Sequence, residues 1–246
     1  MRETERFTGY AAVYNAGRPA YPPEVVDVVL GGLGDPHALK VADLGAGTGL
    51  SARLFTERGA TVFAVEPNAA MREKGAAVPG IVWVDGTAER TGLENHSMDV
   101  VVAFQAFHWF DPGVALAEMT RILRRGGRAA VAFYERDETD AFTGAYGAIV
   151  RRFATDDTER GRARALDTFE AWPGWVRVER HVVLGEHVLD AEGLAVRVAS
   201  SSYLPHSGPE SERLREAVDA LFAQYAQDGC VRMKLQTIIA LAEPRS

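Results

Sequence analysis

Val41-Ala42-Asp43-Leu44-Gly45-Ala46-Gly47-Thr48-Gly49 is an apolar run rising into a turn with glycine at every second position, followed by the helical pattern of Leu50, Leu54 and Phe55. This order predicts a strand, a tight loop and a helix start, where a ligand approaches bare backbone N–H groups. Glycine triplets after a strand also mark dinucleotide sites, but in those the third glycine stands three positions after the second. Here it stands two positions after.

With Asp43 ahead of Gly45, the spacing resembles the first motif of class I S-adenosylmethionine (SAM) dependent methyltransferases. The resemblance implies a three-layer, Rossmann-like α/β fold: a mainly parallel seven-stranded sheet, helices on both faces and an antiparallel last strand. It also implies SAM as cofactor, S-adenosylhomocysteine as product, and cofactor contacts at Asp43, Gly45, Ala46 and Gly47.

Further along, Ala60 to Val65 reads as the next strand and ends in Glu66, 23 residues after Asp43. Neighbouring strands of a doubly wound sheet deliver their carboxyl ends to one crevice, where a carboxylate can accept both hydroxyls of a ribose. Glu66-Pro67-Asn68 also suits a helix start with Asn68 as cap, and one acid can serve both purposes. The resemblance to the family's second motif favours ribose binding and adds Pro67 and Met71 to the cofactor contacts. Asp85-Gly86-Thr87-Ala88-Glu89 follows the short strand Ile81 to Val84 and resembles the family's adenine-contacting segment. Many relatives carry Asp where Thr87 stands, so backbone contacts from Ala88 gain importance beside Thr87 and Glu89.

Val100 to Phe104 is a continuous apolar run of the kind buried on both faces of a parallel sheet. It leads to Gln105-Ala106-Phe107-His108-Trp109-Phe110, and Asp111-Pro112 then opens a helix, with Asp111 as its cap. The whole stretch from Val41 to Tyr134 resembles a type-11 methyltransferase domain, which adds Gln105 and Ala106 to the cofactor contacts. The aromatic segment lacks the Asn/Asp-Pro-Pro-aromatic pattern seen in many enzymes that methylate nucleobase amines. It also lacks the double-glutamate loop of arginine methyltransferases, which leaves small molecules as the leading acceptors.

The N-terminal segment carries Tyr10, Tyr14, Arg18 and Tyr21 among glycines and prolines, too punctuated for a long helix. It reads either as a surface-packed tail or as a lid whose aromatic faces meet a sulfonium while Arg18 meets a carboxylate. Tyr14-x-x-x-Arg18-Pro19-x-Tyr21-Pro22 is similar to the arm of a subgroup that includes trans-aconitate methyltransferases, which favours the lid. The resemblance implies cofactor contacts for Tyr14 and Arg18 and pocket positions for Tyr10 and Tyr21.

After Tyr134 the pattern changes. Residues Ala141 to Ala154 form an amphipathic helical stretch, Thr155 to Arg164 is charged and expected to be exposed, and Val176 to Leu184 is a strand. A short helix through Leu194 to Val198, a helix over Pro209 to Gln227 and a final strand Val231 to Leu241 complete the chain. The organisation expected is one methyltransferase domain over 1–246: an arm and lid at 1–36, a SAM-binding core at 37–135, and a substrate cap with C-terminal strands at 136–246. Tyr134, Glu135, Arg197 and Tyr203 are acceptor-pocket candidates by their expected nearness to strand ends. Trp109 is expected as a pocket wall.

His108 has three open roles: general base toward a hydroxyl acceptor, positioning residue, or packing partner among Phe104, Phe107, Trp109 and Phe110. Methyl transfer itself asks mainly for an aligned nucleophile, because SAM carries its own leaving group.

Composition narrows the partners. The formal net charge of -7 argues against a nucleic-acid or anionic-membrane surface. One cysteine, Cys230, rules out an internal disulfide framework and suits a cytoplasmic location, and no apolar run approaches a membrane span. The remaining histidines show no metal-ligand spacing, so no metal is expected. The reading is methyl transfer to an O, N or C atom of a small organic molecule, by a monomer or homodimer, with a carboxylate among the acceptors left open. A SAM-binding protein that does not methylate, serving as a binding module or a SAM-assisted cyclase, is the alternative. A nicotinamide oxidoreductase is disfavoured by the glycine spacing.

Overall fold

A computed structural model describes residues 19–155, 158–201 and 203–245. Pro23 ends a proline pair and starts α1 (Glu24–Leu30), which buries Val25, Val26 and Val29. The glycine stretch joins β1 (Lys40–Leu44) to α2 (Leu50–Glu57), and Gly59, at φ 94°, turns the chain into β2 (Thr61–Val65). Asn68 caps α3 (Ala69–Gly75), its side chain accepting from the N–H groups of Ala70 and Met71. The short β3 (Ile81–Val84) is followed by β4 (Met98–Phe104), buried at every position as expected of a strand packed on both faces.

Asp111 caps α4 (Pro112–Ile122), which leads into the long β5 (Leu123–Arg136). Beyond it come α5 (Ala141–Phe153), α6 (Thr158–Glu170), β6 (Trp175–Leu189), α7 (Ala191–Ala199), α8 (Pro209–Tyr225) and β7 (Val231–Pro244).

The seven strands form one sheet in the order β3-β2-β1-β4-β5-β7-β6. β1 to β5 pair in parallel, and β7 runs antiparallel to both of its neighbours, β5 and β6. On one face α1 and α2 pack against Val41, Val62, Val100, Val102 and Ala130. On the other, α4 and α6 bring Leu116, Met119, Leu166 and Phe169 against Ala42, Val101, Ala129 and Val131. A third cluster joins α5, α7 and α8 to Val231, Met233 and Leu235 at the start of β7. This cap continues the first face past the carboxyl end of β5, because Leu235 and Ile239 alternate on one side of β7.

Two sequence expectations are corrected. The stretch expected to be an exposed charged run enters α6 at Thr158, and Arg162 in it is only 9% exposed, since α6 must bury Ala165, Leu166 and Phe169 against the sheet. The division at 135/136 falls inside β5, which stays paired with β7 through Arg136.

Candidate active site

The carboxyl ends of β1, β2, β3 and β4 meet at one crevice. A cleft of about 350 Å³ opens there, within the range of small-ligand sites. The Gly45 N–H donates to the Val65 carbonyl at 2.9 Å, and the Glu66 N–H donates to that of Val84 at 3.1 Å, so each loop grows directly out of its neighbour's strand end. Gly45 lies at φ 67°, and a Cβ there would stand 2.8 Å from that of Ala106. Only glycine lets the first loop pass that close to the end of β4. Gly47, at φ 57°, has nothing within 4 Å of where its Cβ would be and faces open space.

Glu66 is the most constrained acid in the cleft. Its Oε2 accepts from the Gly47 N–H at 2.9 Å and its Oε1 from the Asn68 N–H at 2.9 Å. Burial raises its carboxyl, opposed by those two N–H donors and by the charge of Arg72. Each oxygen keeps acceptor capacity toward the cleft it lines.

Asp43 stands behind the loop and does not line the cleft. It is fully buried, its Oδ2 accepts from the Ser51 hydroxyl at 2.6 Å, and its Oδ1 has no partner. Burial dominates and lifts its carboxyl to about 7, with the Ser51 hydrogen bond pulling down and the Glu66 charge pushing up. The sequence grouped Asp43 with the ligand contacts; here Ser51, in the first turn of α2, carries its hydrogen bonding to the cleft wall.

The expected residues that do line the cleft are Gly45, Ala46, Gly47, Glu66, Pro67, Met71, Thr87, Ala88, Glu89, Gln105 and Ala106, with Tyr21, Trp109 and Tyr134 from the acceptor-pocket set. Glu89 Oε1 accepts from the Asp111 N–H at 3.0 Å, tying the loop after β3 to the start of α4. Gln105 occupies the left-handed region at φ 54°, held by its N–H to the Ala132 carbonyl at 2.8 Å and its side-chain amide to the Tyr134 carbonyl at 3.3 Å. Such strain at a non-glycine residue gathers where a site demands it. Tyr21 packs 5.1 Å from Phe104 and 5.6 Å from Tyr134, giving the cleft an aromatic wall.

His108 does not line the cleft. It sits in a 3₁₀ turn (Phe107–Trp109) with its ring 4.6 Å from Trp109 and 5.5 Å from Phe133, so Trp109 stands at the cleft and His108 backs it. Arg197 and Tyr203 are also absent from the lining and lie buried in the cap. Tyr10, Tyr14 and Arg18 fall outside the described residues. Sequence reasoning missed Thr48, Leu50, Ser51, Phe104 and Phe110 as lining residues, and gave Asn68 only a capping role. All of these flank a recognised motif, which was the available signal.

A model of the methyltransferase domain matches residues 42–131, the span that builds the crevice. A methyltransferase of Mycobacterium tuberculosis, itself uncharacterised, is 38% identical over 198 residues, covering 80% of this chain and 76% of that one. The chain belongs to the methyltransferase family. As a member it is a SAM-dependent methyltransferase. Two solved structures share the fold of this methyltransferase. One, from Anaeromyxobacter dehalogenans and described as a type II methyltransferase, has a TM-score of 0.66 at 22% identity, covering 93% of this chain and 97% of that one. The other, from an antibiotic biosynthesis pathway of Anabaena variabilis, has a TM-score of 0.63 at 21% identity, covering 89% and 97%.

The cleft's donor set fits SAM on its own terms. A buried carboxylate faces the space with unused lone pairs, the glycine loop leaves backbone open at Gly47, and aromatic faces suit a sulfonium. Among the described residues, no group of three or more His, Cys, Asp or Glu is gathered for a metal ion, and no helix is long and apolar enough to cross a membrane.

Proposed function

We propose that this methyltransferase moves the methyl group of SAM to an O, N or C atom of a small organic molecule held in the same cleft. The observation that carries this reading is Glu66, fixed by the Gly47 and Asn68 N–H groups with its oxygens toward the cleft, where the two hydroxyls of a ribose would complete its hydrogen bonding. Thr87, Ala88 and Glu89 then border the adenine, while Pro67 and Met71 pack on the nucleoside. Ala46, Gln105 and Ala106 border the methionine end. Asp43 acts from behind the loop by holding the Ser51 hydroxyl at the cleft wall. Tyr14 and Arg18 are proposed as further cofactor contacts and Tyr10 as an acceptor-pocket residue.

Trp109, Tyr21 and Tyr134 form the acceptor walls, and His108 positions Trp109 by packing its tilted ring behind it. Catalysis is then mostly alignment and exclusion of water around a nucleophile about 3 Å from the methyl carbon. A cleft of this size favours a small acceptor over a macromolecule. The single cysteine supports work in the reducing cytoplasm.

Calorimetric titration with SAM, S-adenosylhomocysteine and NADH tests the cofactor half. Both adenosyl compounds should bind and NADH should not. Release of S-adenosylhomocysteine with panels of small acids, phenols and amines tests the transfer half. Binding of SAM without transfer to any acceptor would favour a non-methylating SAM protein.

A further inference from the structure

Two arginines are buried in or beside the cap with little to neutralise them, and a third, Arg136, stands at the end of β5. Arg162 and Arg197 are 9% and 5% exposed, and the Nε of each is buried without a hydrogen-bond partner. Among the described residues Arg162 has no ion pair, and Arg197 makes one long contact, from Nη1 to the Ser201 hydroxyl at 3.4 Å. Arg136 lies over the Tyr146 ring at 6.0 Å and shares Glu138 at 3.3 Å with Arg151, which holds the same carboxylate at 2.7 Å. Proteins seldom bury guanidinium groups unpaired, because desolvation is costly unless a partner arrives.

The placement of these side chains says where that partner comes from. Arg136 follows Tyr134, a cleft-lining residue, by two positions in an unbroken stretch of β5, so both project from the same face about 7 Å apart. Arg162 stands one turn before Leu166 on α6, whose Phe169 packs 6.0 Å from Phe107 in the turn that presents Trp109 to the cleft. Arg197 comes from α7, and the Tyr203 backbone is fastened to the end of α5 by the Thr155 N–H and hydroxyl. All three charges are near enough to act on the Tyr203 hydroxyl. Burial alone would raise that phenol, yet the charges of Arg197, Arg162 and Arg136, with a hydrogen bond to Ser201, outweigh it and hold it below its usual value.

We propose that Arg136, Arg162 and Arg197, with the Tyr203 hydroxyl, form an anion-binding subsite beyond Tyr134, and that the acceptor is anchored there by a carboxylate or phosphate group while a different atom receives the methyl. The word acceptor rests on the methyl-transfer reading above; the subsite itself does not. Guanidinium forks suit both anions, since they present paired N–H donors in one plane. An oxygen engaged by these donors has its lone pairs occupied and its charge neutralised, which makes it a poor nucleophile toward the methyl group. The bound anion is therefore the handle of the acceptor and not its reacting atom.

The test titrates citrate, and separately inorganic phosphate, into full-length protein loaded with S-adenosylhomocysteine, with ionic strength held constant by sodium chloride. At least one of the two should bind, and that binding should weaken tenfold or more in Arg162→Gln and Arg197→Gln, less in Arg197→Lys. S-adenosylhomocysteine affinity should change less than threefold. Melting temperatures of the two Gln variants should equal or exceed the parent's, because each removes an unpaired buried charge; Arg162→Met serves where a Gln variant does not fold. Binding of neither anion, or equal binding in parent and variants, would overturn the subsite. Loss of S-adenosylhomocysteine affinity in the variants would overturn it too, by assigning the arginines to the cofactor's carboxylate. Should S-adenosylhomocysteine not bind the folded parent, the methyl-transfer reading falls, and citrate and phosphate titrated into the unloaded protein still decide the subsite.

Discussion

Glu66 and Arg162 are both buried charges, and they are held in opposite ways. Glu66 has a backbone N–H on each oxygen and sits between two strand ends that fix it before any ligand arrives. Arg162 is 9% exposed and has no hydrogen-bond partner for its Nε. The first arrangement suits one shape, the paired hydroxyls of the ribose proposed to bind it. The second supplies charge without a fixed complement, which suits the anionic group proposed to bind there. The cleft half of the molecule is held by backbone N–H groups; the cap half carries buried charge with an unpartnered Nε.

That contrast breaks first at Gly45. A valine there needs a positive φ that β-branched residues avoid and drives a side chain into Ala106 and Phe110. We expect SAM affinity to fall by roughly 100-fold or more, about 3 kcal/mol, with the fold checked by circular dichroism. Affinity within threefold of the parent would mean that the cofactor does not touch the loop. Glu66→Ala comes next, with an expected loss of about 1 to 3 kcal/mol in SAM binding from removal of a charge-assisted hydrogen bond. Unchanged affinity in a folded variant would sink the ribose assignment.

Asp43 sharpens the comparison through pH. Its folded-state carboxyl titrates at about 7, above the ordinary 3.8, because burial penalises the charged form. The folded state therefore holds the proton more tightly than the unfolded chain. Its contribution to stability is greatest below the unfolded value and is lost as pH rises toward 7, at up to about 1.4 kcal/mol per pH unit. Above 7 its effect is flat. The neutral Asp43→Asn keeps an acceptor for Ser51 and removes the titration, so the difference between parent and variant in urea unfolding should change between pH 5 and 7 and not between pH 7.5 and 8.5. A constant difference across the whole range would show that the carboxyl ionises normally.

The cap gives the opposite sign. Arg162→Met replaces an unpartnered buried charge by an apolar chain of similar length, and should stabilise the ligand-free protein by about 1 to 2 kcal/mol. Thermal unfolding reads this as a rise of a few degrees. A fall would mean that Arg162 has an internal partner.

How far the sequence could be read follows the same division. The β1 loop, Glu66, the Asp85–Glu89 loop and the β4 exit were legible because each is a strand end with local chemistry: glycines at fixed offsets, an acid, a cap. The sheet's direction also followed from strand–helix alternation, and the antiparallel last strand from the family resemblance. The cap was not legible in that way. Arg162 lies in a run of charges that reads as solvated, and only the packing of Leu166 and Phe169 against Phe107 turns that face of α6 inward. Arg197 and Tyr203 were singled out for nearness to strand ends, and tertiary packing instead puts them behind the cleft wall. Nearness of charges from β5, α6 and α7 to one hydroxyl is a long-range property that no local spacing encodes.

His108 is the smallest expected effect and the finest divider between the two halves. A histidine acting as general base is worth about 100- to 10,000-fold in rate and must reach the acceptor proton directly or through one water. Here the ring lies against Trp109 and Phe133 and contributes nothing to the cleft lining, which fits the role proposed for it of holding Trp109 in place. His108→Gln should lower kcat by less than about tenfold, with most of the change in acceptor KM, because a displaced indole loosens the acceptor without removing a proton carrier. The pH profile decides between the roles. A base titrating near its ordinary value would give kcat an acidic limb that the substitution abolishes, whereas a positioning ring leaves the limb, if there is one, where it was.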